Sequence, residues 1–186
     1  MLVKGLLAAL LASIIGFFYG FAFWGLSPVS QMAVKQLPDE KKVLEALRET
    51  KAEPGFYVAP YPPPDAATNA EFLDNHTRGP IMVASVKEGF IPMNPTEMLR
   101  GWLHFLIASV LGLLVFVLAL PALDGFGKRV AFVTLLGFFA SFTVDFSNNA
   151  WWHFPFMNAV YNLTYFTGWW LLTGLVFAWF FKSYRR

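Results

Sequence analysis

Four stretches of this chain are too apolar, and too empty of charge, to belong in water. Gly5 to Leu26 carries no charged residue, and Lys4 precedes it. At about 1.5 Å per residue it is long enough to cross about 30 Å of hydrocarbon as a helix. A second such run follows Arg100 and extends to Leu120 and Pro121, a third covers Val130 to Val144, and a fourth starts after Pro155 and reaches Phe181. A helix satisfies its backbone polar groups internally, which is what a spanning segment requires. The expected fold class is therefore an all-α membrane protein with four transmembrane helices, at 1–26 and at about 98–120, 130–146 and 155–181. The third span is the short one, about 22 Å at helical rise, and ends on Asp145. The first is read as a retained helix rather than a cleaved signal sequence, because its apolar run is long for one. Its Gly16 and Gly20 form a small-xxx-small face, read as close packing inside the bundle.

Between the first two spans, 27–95 changes character. Hydrophobic residues make up 56% of the whole chain, yet this segment holds most of its acids and a run of prolines. Pro38, Asp39 and Glu40 open a helix that runs to Lys51, with a proline and acids in its first turn. Gly55–Ala59 and Ile81–Val86 have the composition of short strands, and 66–76 that of a short helix. The expectation is a small α+β insert with few core residues, too thin to stand alone. Asn94, Pro95 and Glu97 then form a helix start: N-cap, N1 and N3.

Lys4, the pair Lys128 and Arg129, and the group Lys182, Arg185 and Arg186 fall on one side of a four-span topology. By the positive-inside rule that side is cytoplasmic. The resulting expectation is a bacterial inner-membrane protein with both termini inside and 27–95 periplasmic.

Polar residues at membrane depth are costly and mark function by default. In this topology His104, Asp145, Asn148, Asn149 and His153 lie towards the outer face, with Glu97 and Arg100 near the start of the second span. Asn158, Asn162, Tyr165 and Trp169 make a polar-aromatic stripe on the fourth. Together they are the candidate polar pocket, with Glu97, Arg100, Tyr165 and Trp169 in support. Each also has a structural reading: Asp145 as a cap, the asparagines as interhelical hydrogen bonds, and Trp151, Trp152, Tyr161, Trp169 and Trp170 as an aromatic belt. His104 and His153 are the residues that could hold a haem, and the pocket could also take a quinone, although neither cofactor is expected. With no cysteine, thiolate and iron–sulfur chemistry are excluded. No phosphate loop, dinucleotide fingerprint or metalloprotease motif is present, and a triad from Ser141 or Ser147 with His153 and Asp145 would be too local. A net charge of +2 without a basic-aromatic cluster argues against nucleic acid.

Several segments carry a likeness. GFYVAP after Pro54, TRGPIMVASVKEGFIPMNPTEML before the second span, RVAFVTLLGFFA, and NAWWHFPFMNAVYNLTYFTGWWLLTGLVFAW resemble a family of small, functionally uncharacterised bacterial membrane proteins. The likeness covers most of the chain from Pro54 to Phe181 and is most specific from WWHFP to Gly174. It implies a four-span architecture and brings no catalytic residue with it.

Two functions follow as expectations. The first is a non-enzymatic membrane protein, an accessory or assembly subunit that docks other membrane subunits through its insert. The second is a protein that binds or transports a small molecule (quinone, haem, lipid or ion) in the outer-leaflet pocket.

Overall fold

The computed structural model describes residues 2–184, so Arg185 and Arg186 of the charge argument lie outside the described residues. Among the described residues, four helices are long and apolar enough to cross a membrane, as the multi-pass membrane class requires. Helix α1 (Leu2–Phe21) continues through a π-helical turn at Ala22–Leu26, and a short α2 (Val29–Ala33) follows. Next come α3 (Glu40–Glu49), β1 (Gly55–Ala59), α4 (Ala70–Arg78) and β2 (Met82–Val86). The remaining spans are α5 (Pro95–Ala119), α6 (Phe126–Trp152) and α7 (Phe156–Phe180). The chain divides into two compact units, Met1–Lys35 with Pro92–Arg186, and Gln36–Ile91.

In the helical unit, α6 runs along α7, while α1 packs against both α5 and α7. Helices α5 and α6 follow each other in the chain yet barely touch. The close approaches depend on glycines with no room for a side chain. A Cβ on Gly137 of α6 would stand 2.2 Å from Trp170 Cγ, and one on Gly16 of α1 would stand 2.3 Å from Trp169 Nε1. Trp170 also closes on Gly112 of α5, so one indole wedges the gap between α5 and α6. The Gly16–Gly20 face is thus filled from within, by Trp169, Phe105 and Tyr165.

The expected cap at Asn94 is present: its side-chain oxygen accepts from Glu97 N at 3.0 Å, with Pro95 at N1. One element departs from expectation. Helix α6 is 27 residues long, about 40 Å at helical rise, and continues past Asp145 to Trp152. Ser147, Asn148 and Asn149 lower the hydropathy but do not break a helix; only Pro155 must. His153, in the left-handed region at φ 57°, ends it.

The second unit holds a two-stranded antiparallel sheet, with Gly55 opposite Val86 and Ala59 opposite Met82. Helix α4 starts later than 66 because Asn69 takes the N-cap, accepting from Phe72 N at 2.9 Å. None of residues 36–91 is buried.

Candidate functional site

The longer α6 changes what Asp145 is. It lies about two turns inside the helix and is 9% exposed, on the face that meets α7. Ser141, one turn earlier, donates from Oγ to Asp145 Oδ2 at 2.5 Å, and Asn162 of α7 donates from Nδ2 to Asp145 Oδ1 at 2.8 Å. Spacing of four on α6 places Ser141 and Asp145 on one face. Among the described residues, no lysine, arginine or histidine pairs with this carboxylate. A carboxylate out of water is costly unless it is paired or fully hydrogen-bonded, and here both bonds come from neutral donors. Removing the interhelical one by Asn162→Ala is expected to cost about 1 kcal/mol. A double-mutant cycle with Asp145→Asn, followed by thermal unfolding in detergent, checks the coupling.

The other expected members of the pocket do not join this cluster. His104 is exposed on α5, and its ring neighbours are Phe105 at 5.4 Å and Trp169 at 5.9 Å. Arg100 and Glu97 pair with each other at 3.4 Å. Asn149 donates to Phe154 O at 2.6 Å, and Asn148 O accepts from Phe154 N, so both asparagines serve the turn after α6. His153 forms that turn, and Asn158 sits in the first turn of α7 with its N–H on Pro155 O. The α7 stripe faces inward along much of its length: Tyr165 stacks on Tyr19 at 5.6 Å, and Trp169 is 2% exposed against Phe105. Trp169 is therefore core, whereas Trp151 at 79% exposure is free to sit at a headgroup boundary.

Two residues escaped sequence reasoning. Ser141 was considered only as a nucleophile, although its spacing of four from Asp145 is a readable signal. Arg129, which the charge pattern places only on one side of the topology, is buried and donates to Leu123 O, Phe181 O and Tyr184 O at 3.1, 2.7 and 2.9 Å. Nothing local distinguishes it from Lys128.

Arg100 and His104 instead line a groove along α5, about 670 Å3, whose apolar remainder includes Leu103, Ile107 and Leu111. No group of three or more His, Cys, Asp or Glu able to hold a metal ion occurs among the described residues. Comparison with family models, curated proteins and solved structures found no match. The functional reading therefore rests on geometry.

Proposed function

We propose that this is a non-enzymatic integral inner-membrane protein, an accessory or assembly subunit of a larger membrane complex. Both termini face the cytoplasm, and the 27–95 insert docks partners on the periplasmic side. The observation that carries this is the state of residues 36–91. None is buried, and Phe56, Tyr61 and Ile91 are 61%, 79% and 77% exposed. A two-stranded sheet without a buried core supplies little stability of its own. A segment that folds this way while keeping its apolar side chains outside is suited to covering by another chain. Gentle solubilisation followed by sizing tests it: the expected species is larger than one chain and contains a second protein. A lone monomer with nothing associated would overturn the reading.

The α5 groove favours a second reading, a site for an amphiphilic small molecule such as a lipid or quinone. Arg100 and His104 offer donors near one end, and Leu103, Ile107 and Leu111 offer an apolar track. Solvent extraction of purified protein and mass analysis of the extract test it. A single bound species is expected, lost in Arg100→Gln with His104→Ala; an unselective lipid mixture in both proteins would refute it. An absorption spectrum of the same sample decides the haem version.

A further inference from the structure

We infer that a basic groove on the Gln36–Ile91 unit receives an acidic segment of a partner protein, one that also presents an apolar side chain. This rests on the accessory-subunit reading and names the chemistry of its partner. The groove lies between α3 and the end of β2 and has a volume of about 470 Å3. Leu44, Leu47 and Val86 contribute its apolar lining, Arg48, Lys51 and Lys87 its cations, and Glu88 its one carboxylate.

Elsewhere in the unit, cations are spent on nearby acids. Lys41 pairs with Glu45, Lys42 with Asp39, and Arg78 with Asp74. Among the described residues, no ion pair is formed by Arg48 or Lys51. Their charge is therefore available to a ligand, where it can steer an acidic partner and select against a basic one.

The backbone at Lys51 points the same way. This residue follows the C-cap of α3 at φ 50°, with its N–H on Arg48 O. That is the left-handed position at which helices usually carry glycine. A lysine held there bears strain that glycine would avoid, and such strain clusters at functional sites.

An anionic membrane surface is the competing occupant. The unit as a whole is acidic, with more Asp and Glu than Lys and Arg between 36 and 91. A net negative body is repelled by an anionic bilayer, whereas a local basic groove within it still attracts an acidic segment that fits. The apolar lining also matches a side chain better than a headgroup.

The test uses the full chain in detergent and a labelled peptide of alternating Glu and Leu. Binding is expected to weaken about tenfold in the double variant Arg48→Gln with Lys51→Gln, and to fall as salt rises. Both side chains are exposed, so the variant keeps its fold. Equal binding of a Lys–Leu peptide, equal affinity of the double variant, or displacement by soluble short-chain phosphatidylglycerol would each overturn the inference, the last in favour of a membrane. Sizing the two proteins separates this from the broader reading. If both co-purify with the same partner and neither binds the peptide, the groove is wrong and the accessory role stands. If wild type runs alone yet binds the peptide in a groove-dependent way, the accessory role fails and the groove stands.

Discussion

Replacing Arg129 by alanine is expected to cost the folded protein about 3 kcal/mol. The residue is 4% exposed, and its guanidinium holds three carbonyls: Leu123 in the α5–α6 connection, and Phe181 and Tyr184 just beyond α7. Phe181 is the C-cap of α7, where the helix leaves its last carbonyls unsatisfied and carries partial negative charge. Removing the donor strands those acceptors where water does not readily replace it, and each charge-assisted bond is worth about 1.5–3 kcal/mol in such settings. Arg129→Lys should recover only part, because one ammonium lacks the planar fork that reaches several carbonyls at once. The midpoint of thermal unfolding in detergent reads both. A lysine variant as stable as wild type would show that charge alone suffices.

Trp169→Ala should cost a similar amount, about 3 kcal/mol or more, by opening a cavity in the centre of the helical unit. The indole is 2% exposed and makes edge contact with Phe105 at 4.6 Å. Gly16 abuts both rings and leaves no space for a Cβ. The converse change, Gly16→Ala, overpacks the same contact and should cost about 1–3 kcal/mol. Because both act on one interface, their effects should not add. The pair Gly16→Ala with Trp169→Phe is expected to be more stable than the sum of the single losses predicts. Strict additivity would mean that α1 and α7 are not held together by this contact.

Much of the fold was legible because it is local. A charge-free run of sufficient length names a span. Asn94 followed by Pro95 names a helix start, and β-branched and aromatic residues between Gly and Pro name the strands. The misreading of the third span was local too. A drop in hydropathy after Val144 was taken as the end of a helix, although nothing there breaks one before Pro155. Asp145, expected at the tip of that helix, therefore lies inside it.

The candidate site was legible only by residue type. Polar residues at depth were named, but which of them meet depends on helix rotation and on partners far away in sequence. His104 faces outward and Asn149 serves a turn, whereas Asn162 crosses to Asp145. Sequence by itself determined the four apolar helices, the small mixed insert between the first two and the Asn94 cap that starts α5. These follow from chain geometry and hydrogen bonding within a few residues. Only the tertiary structure decided that α1 lies beside both α5 and α7, that Arg129 closes the end of α7, and that Asp145 is answered by Ser141 and Asn162. Such contacts arise when helices pack, and in an apolar chain the hydrophobic pattern alone does not say which face turns to which neighbour.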